Sequence, residues 1–133
     1  MQDSIFTKII KGEIPSHKIY EDEKTYAFLD IHPKTPGHTL VVPKKQVEFV
    51  WDLDIEDYIA VMETAKKVAN RMREVLDTRY VGEAVVGDEV PHAHVHVYPF
   101  STKAEVQSFP DPNGEVDNDA LAEAVATSDI ATR

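Results

Sequence analysis

Three of the six histidines in this 133-residue chain fall within five consecutive positions, as His92, His94 and His96. If residues 90–98 form a β-strand, alternate side chains point to opposite faces, so the three histidines share one face with Tyr98. The small and apolar residues between them would then face the core. Alpha carbons two residues apart in a strand are separated by about 6.5 to 7 Å. The pattern therefore predicts a compact row of imidazoles.

Such a row suits chemistry at a phosphorus atom. One neutral imidazole can attack phosphorus and carry a covalent intermediate, while its neighbours bind the non-bridging oxygens or protonate the leaving group. A metal site is the main alternative, because two histidines two residues apart can bind one zinc or copper ion with a third ligand from another element. His32 and His38 are candidates for that ligand. Spacing alone does not decide between the two kinds of site.

The overall composition excludes several other classes of protein. The chain has no cysteine, so disulfides, thiolate zinc ligands and a cysteine nucleophile are ruled out. Its net charge of -10 argues against a nucleic-acid polymer or an anionic membrane as partner, since both need clustered Lys and Arg. We see no secretory signal and no apolar stretch of membrane length, and therefore expect a cytoplasmic protein.

The elements that must position the histidines predict an α+β domain. Short segments set off by turn and loop residues predict five strands, at residues 17–21, 25–30, 38–43, 80–86 and 90–98. Four of the strands form two hairpins, the second around a tight turn at Gly87 and Asp88. A 3.6-residue apolar period predicts a long helix over residues 55–76 with Asp54 as its N-cap. A short helix with Ser4 as its N-cap begins the chain, and together these elements predict a five-stranded antiparallel sheet.

The composition changes after residue 100. Residues 1–100 are predicted to form the domain, and residues 101–133 an acidic C-terminal extension that is ordered at most in part. Within the extension, residues 110–114 read as a break, and residues 120–126 as a short helix capped by Asp119.

Five segments, in order, resemble the histidine triad (HIT) superfamily. They are residues 4–15, 20–23, 27–31 and 36–44, and the triad itself. Members of that family are nucleotide hydrolases and transferases, commonly homodimers whose two sheets join into one of ten strands. The resemblance therefore implies a homodimer that binds a small nucleotide, such as an adenosine phosphoramidate or a dinucleoside polyphosphate.

The resemblance also implies roles for individual residues. His94 would attack the α-phosphate and form a nucleotidyl-histidine, His96 would contact the phosphate, and His92 would orient the row. His38 would support the triad by helping to fix the tautomer of the nucleophile. Asp30 would bind the ribose hydroxyls through its carboxylate.

The remaining predicted nucleotide-binding residues are apolar wall candidates or lie just ahead of the triad. They are Phe6, Ile10, Ile31, Glu89 and Val90.

The N-terminal region departs from the family's pattern. Many bacterial members carry Cys-x-x-Cys and bind a structural zinc ion with two further histidines. Here Ser4 and Thr7 replace the cysteines, and Gln46 replaces one of the zinc histidines. We therefore expect no zinc of that kind and an N-terminal region held by packing.

The segment around the triad departs as well. Asp88 and Glu89 replace the expected phosphate donors, and Phe100 stands where an arginine often follows the triad. Carboxylates repel a phosphate unless they are protonated, paired or bridged by a cation. The expected enzyme needs no cofactor, although a divalent cation would be compatible with it. The alternative is a non-catalytic module that binds a nucleotide or a metal with the same histidines.

Overall fold

A computed structural model of the chain describes residues 2–107 and 118–126. Its strands are β1 (Lys18–Glu21), β2 (Thr25–Leu29), β3 (Thr39–Pro43), β4 (Tyr80–Ala84) and β5 (Val95–Phe100). They form one sheet in the order β1-β2-β3-β5-β4, and every neighbouring pair is antiparallel. The predicted α+β class and five-stranded antiparallel sheet are confirmed.

One long helix, α2 (Ile55–Val75), covers one face of this sheet. The Asp54 carboxylate caps the helix by accepting the backbone N–H of Asp57 at 3.1 Å. The buried side of α2 packs on the sheet residues that alternate with the histidines, and together they form the main core. That core includes Val61, Val68, Met72, Ala93, Val95 and Val97. A short 3-10 turn, Val50–Asp52, precedes the helix.

The opposite face of the sheet carries the short helix α1 (Ile5–Ile10). Ser4 caps it as predicted, because its Oγ accepts the N–H of Thr7 at 3.0 Å. Phe6 and Ile9 of α1 join a second apolar cluster on this face of the sheet. Gly12 follows the helix with a φ of 80°, a left-handed conformation that favours glycine. The sheet is therefore covered on both faces, and the histidines lie on the α1 side.

Two further helices follow β5, namely α3 (Lys103–Gln107) and α4 (Asn118–Val125). The predicted helix over residues 120–126 thus begins two residues earlier, and Asp119 lies in its first turn instead of at the cap. Helix α4 contacts α2 and β1, and its Val125 is fully buried in the main core. The predicted break at residues 110–114 lies outside the described residues. None of the helices in the described ranges is long and apolar enough to cross a membrane.

The connection into β5 differs from the prediction. We expected strands at 80–86 and 90–98 around a tight turn, but β4 ends at Ala84 and β5 begins only at Val95. Pro91 has no N–H to donate to a ladder and disfavours regular geometry before it. The N–H of Ala93 bonds to the carbonyl of Val47 instead of to a strand partner. The prediction that the whole histidine row lies on a strand is therefore wrong for His92 and His94, which precede β5, and right for His96.

Candidate functional site

The three histidines of the row converge beside α1 even though only His96 lies on a strand. The ring centroids of His94 and His96 are 5.1 Å apart. The Phe6 ring stands edge-on to His92 at 5.8 Å and to His94 at 5.2 Å. None of the three histidines is more than 4% exposed. The row is therefore buried among other rings, unlike histidines scattered on a surface strand.

His92 uses both of its ring nitrogens within the protein. Its Nε2 lies 2.8 Å from the carbonyl oxygen of Pro43, which can only accept, so Nε2 carries the proton. The lone pair on Nδ1 then accepts a hydrogen bond from Ser4 Oγ at 2.7 Å. Burial lowers the pKa of His92 and so favours the neutral ring near pH 7, and the bond to Pro43 offsets part of this effect. With both nitrogens occupied, His92 cannot act as a nucleophile.

His94 is held with its reactive nitrogen available. Its Nδ1 lies 2.7 Å from the backbone carbonyl of His92, so Nδ1 carries the proton in the neutral ring. The lone pair must then lie on Nε2. A neutral imidazole with a free Nε2 lone pair is the form that can attack an electrophilic centre.

A second chain of hydrogen bonds fixes His96. The backbone N–H of Lys34 donates to Nδ1 of His38 at 2.9 Å, so the proton of His38 lies on Nε2. That nitrogen lies 3.0 Å from Nδ1 of His96 and donates to it. The proton of His96 is consequently on Nε2, a buried atom without a hydrogen-bond partner among the described residues. His96 thus offers an unused N–H donor of the kind that an anionic oxygen satisfies.

Burial favours the neutral forms on which these assignments rest. It lowers the pKa of His38 to about 3, and the neighbouring His96 and Lys34 add to the effect. Burial also lowers the pKa of His96, with the nearby His94 acting in the same direction. Near pH 7 both rings are therefore neutral, and the direction of their hydrogen bonds is defined.

Asp30 lies at the end of β2, next to these histidines. One carboxylate oxygen accepts the backbone N–H of His32 at 2.8 Å, and the other lies 3.7 Å from Nε2 of His38. Burial raises the pKa of Asp30, and the negative charge of Glu89 adds to this effect. Asp30, the residue predicted to bind the ribose, thus lies beside the histidine row, with 12% of its side chain exposed.

Among the other predicted pocket residues, Phe6 is buried, and Ile10 and Val90 pack against the same apolar cluster. Ile31 differs from them because it is 73% exposed and belongs to neither core cluster. A ligand would itself have to cover Ile31 for this residue to act as a pocket wall.

The two carboxylates ahead of the triad influence the site electrostatically. Glu89 raises the pKa of both Asp30 and His96, and Asp88 also raises that of His96, against the dominant lowering by burial. Both side chains are exposed. Their charge is therefore felt on the histidine side of the sheet, where a phosphate would have to bind.

Sequence reasoning missed much of what holds the row in place. The N-terminal region was expected to be held by packing alone, but Gln46 Oε1 accepts bonds from Ser4 N at 2.8 Å and Thr7 Oγ1 at 2.7 Å. The polar residues in place of the cysteines were the signal that could have revealed this. His38 was expected to help fix the tautomer of the nucleophile, but its ring bonds to His96, while the His92 carbonyl orients His94.

One group of side chains could hold a metal ion. Among the described residues, ligand atoms of Asp30, His38 and His96 lie within 4.8 Å of one another. This group includes the candidate His38 and not His32, but it holds one histidine of the row instead of the expected pair two residues apart. However, His38 could bind a metal through Nε2 only if its proton moved to Nδ1. That proton would then face the N–H of Lys34 at 2.9 Å. This hydrogen bond opposes a metal on His38.

Comparison with known proteins identifies the family of the chain. The sequence model of the HIT domain family matches residues 11–103 of this chain. An uncharacterized HIT-like protein of Borreliella burgdorferi is 42% identical over 106 residues, covering 74% of this chain and 76% of that one. An adenosine 5'-monophosphoramidase of Saccharomyces cerevisiae is 42% identical over 98 residues, covering 71% of this chain and 61% of that enzyme. A zinc-bound histidine triad family protein from Mycobacterium smegmatis superimposes with a TM-score of 0.82 at 28% identity, covering 96% of this chain and 93% of that one.

Proposed function

This chain belongs to the HIT family, and from that premise we propose that it is a nucleotidyl hydrolase or transferase acting on the α-phosphate of a nucleotide. An adenosine phosphoramidate or a dinucleoside polyphosphate is the expected substrate. The observation that carries the proposal is a pair of ring nitrogens on neighbouring rings, whose centroids are 5.1 Å apart. The Nε2 lone pair of His94 can attack phosphorus, and the unused Nε2–H of His96 can bind a phosphate oxygen. The similarity to a yeast adenosine 5'-monophosphoramidase supports the same class of substrate.

The proposed reaction has two displacements at phosphorus. In the first, Nε2 of His94 bonds to the α-phosphorus, and the bond to the leaving group breaks. The electron pair leaves with that group, which takes up a proton from solvent. In the second, water attacks phosphorus, its proton passes to solvent, and the P–N bond breaks to regenerate neutral His94. The His92 carbonyl accepts the Nδ1–H throughout, so it stabilises the positive charge that the ring carries in the intermediate.

The remaining residues bind the substrate in this proposal. Asp30 accepts hydrogen bonds from the ribose hydroxyls, as a carboxylate beside the phosphate site can do. Phe6, Ile10 and Val90 supply the apolar wall for the base. No step of the reaction requires a metal or another cofactor.

A second candidate function is a nucleotide-binding module that does not turn its ligand over. It is favoured by the carboxylates of Asp88 and Glu89, whose charge reaches the histidine side. Negative charge there opposes a phosphate and disfavours the extra charge of a transition state on phosphorus.

We also propose that two copies of the chain pair along β4. This strand (Tyr80–Ala84) lies at the edge of the sheet, beside β5 alone among the described strands. An unpaired strand edge is a ready template for another chain. Trp51 at 70% and Ile55 at 67% exposure add apolar surface that a partner could cover. Light scattering on the purified protein should give twice the mass of one chain, whereas a monomer at micromolar concentration would refute the pairing.

Steady-state hydrolysis of an adenosine phosphoramidate tests the proposed function. His94→Ala should reduce kcat by at least about 1,000-fold, because the nucleophile is lost, while AMP binding measured by calorimetry is retained. His17→Ala is the matched control, since its ring pairs with Asp119 away from the row. Turnover of His94→Ala at the wild-type rate would remove the mechanism. A wild-type protein that binds AMP without turnover would favour the binding module.

A further inference from the structure

A cluster of polar side chains from distant parts of the chain surrounds Nδ1 of His92. This N-terminal polar cluster consists of Ser4, Thr7 and Gln46. Ser4 Oγ lies 2.7 Å and Thr7 Oγ1 3.3 Å from that nitrogen. Gln46 Nε2 also donates to the carbonyl of Gln2, which ties the segment after β3 to the start of the chain. Ser4 is 6% exposed and His92 is fully buried, so water does not compete for these bonds.

The proton positions within this cluster can be worked out from its acceptors. Gln46 Oε1 can only accept, so the Ser4 N–H and the Thr7 hydroxyl both donate to it. Ser4 Oγ already accepts the N–H of Thr7. Its own proton has two acceptors within reach, Thr7 Oγ1 at 3.2 Å and His92 Nδ1 at 2.7 Å, and the shorter contact directs it at His92. Gln46 therefore takes up the Ser4 N–H and the Thr7 hydroxyl, which leaves the Ser4 hydroxyl to donate to His92.

The effect of this donation reaches the nucleophile through the backbone. His92 and His94 precede β5, so no strand ladder holds them. The ring of His92 is instead fixed at both nitrogens, and the carbonyl of the same residue accepts the Nδ1–H of His94. A displacement of the His92 backbone, which these ring contacts hold in place, would move the carbonyl that orients His94.

We propose that Ser4 is a positioning residue. Its hydroxyl, held by Thr7 and Gln46, keeps His92 in the Nε2–H form, and His92 in turn keeps the lone pair of His94 on Nε2, directed at the substrate. The role of His94 in this inference rests on the proposed function. The link between Ser4 and the His92 tautomer rests on the geometry alone.

Ser4→Asp separates the positioning role from the role of Ser4 as a helix cap. Aspartate caps a helix about as well as serine, but its carboxylate can only accept a hydrogen bond. It should therefore draw a proton onto Nδ1 of His92 and raise the pKa of that ring. Ser4→Thr keeps the hydroxyl and is the conservative control. Ser4→Ala removes the donor without adding charge, and serves if Ser4→Asp does not fold.

Long-range nitrogen–proton NMR of the histidine rings reads the tautomers without any turnover. We expect Nδ1 of His92 to be unprotonated in the wild type and Ser4→Thr, protonated in Ser4→Asp, and partly protonated in Ser4→Ala. An unprotonated Nδ1 in all four proteins would overturn the proposal, whether or not the protein is an enzyme.

The kinetic readout tests the effect on the nucleophile. We expect kcat for an adenosine phosphoramidate to fall by about 10- to 100-fold in Ser4→Asp, with KM changed by less than about 3-fold, because Ser4 does not contact substrate. Ser4→Thr should retain the wild-type kcat. A changed His92 tautomer with unchanged kcat would overturn the positioning role while leaving the proposed hydrolase intact.

Discussion

The histidine row consists of two halves that are held in different ways. The strand half is His96, which lies on β5 and pairs with Leu40 of β3 on one side and with Ala84 of β4 on the other. The loop half is His92 and His94, which precede the strand. Only the strand half takes its position from a continuous ladder of backbone bonds.

The loop half depends on groups from three separate places. Pro43 at the end of β3, Val47 after it and Ser4 before α1 each contribute one hydrogen bond to the segment. The proposed nucleophile is thus in the half that has no strand of its own. Under the proposed mechanism, this difference means that the nucleophile depends on a few long-range polar contacts, whereas the phosphate-binding N–H depends on the sheet.

Substituting one histidine from each half should affect different properties, chiefly stability for His92 and chiefly kcat for His96. His92→Phe leaves the Pro43 carbonyl and the Ser4 hydroxyl without their partner, so urea unfolding should show a loss of about 2 to 4 kcal/mol in stability. His96→Phe should instead lower kcat about 100- to 1,000-fold, because the unused Nε2–H is lost. Its stability should change by less, since it gives up one hydrogen bond. The comparison would fail if His96→Phe were the less stable of the two proteins.

A small substitution on β4, the strand next to His96, should disturb the ring that packs against His38. A Cβ added at Gly82 would come within 2.7 Å of the Tyr98 ring, which packs against the His38 ring at 5.7 Å between centroids. Gly82→Ala should therefore destabilise the protein by about 1 to 3 kcal/mol.

The double variant Gly82→Ala/Tyr98→Leu relieves that clash and serves as the control. Urea unfolding of both variants should show the double variant recovering most of the loss. Equal stability of Gly82→Ala and the wild type would mean that the sheet tolerates the clash.

The pH dependence of stability should distinguish the buried His38 from an ordinary histidine. Its pKa falls from 6.5 to about 3 on folding, chiefly through burial. As the pH drops below 6.5 the unfolded chain binds a proton that the folded protein does not, so stability falls with pH. Between pH 7 and pH 5 this one residue should account for a loss of about 2 kcal/mol.

His38→Gln cannot titrate and should lose correspondingly less stability over that interval. Unfolding by urea at the two pH values gives the comparison directly. An identical pH dependence in His38→Gln and the wild type would contradict a neutral, buried His38.

Most of the fold followed from local pattern. The apolar period of α2, its Asp54 cap and the turn residues that bound β1, β2 and β3 are local features, and the sequence displays all of them. The start of β5 was missed because the alternation of residues 90–98 continues through a segment that bonds to Val47 instead of to a strand. A periodic pattern indicates which face a side chain occupies, but it does not reveal where a ladder begins.

The sequence also identified the residue types of the candidate site, but it did not show which ring nitrogen of each histidine carries the proton. The backbone N–H of Lys34 and the carbonyls of Pro43 and His92 decide the tautomers of the row. Every residue except proline has the same N–H and every residue the same carbonyl, so no residue type signals these contacts. The Ser4–His92 contact joins residues 88 positions apart and likewise required the fold.

The most direct test of the central claim is to find which histidine becomes modified. Wild-type protein mixed briefly with an adenosine phosphoramidate and quenched should gain the mass of one nucleotidyl group, and peptide mapping should place it on His94, the ring whose Nε2 lone pair is available. His94→Ala should gain no mass under the same conditions. A nucleotidyl group on His92 or His96, or turnover without any adduct on His94, would contradict the account.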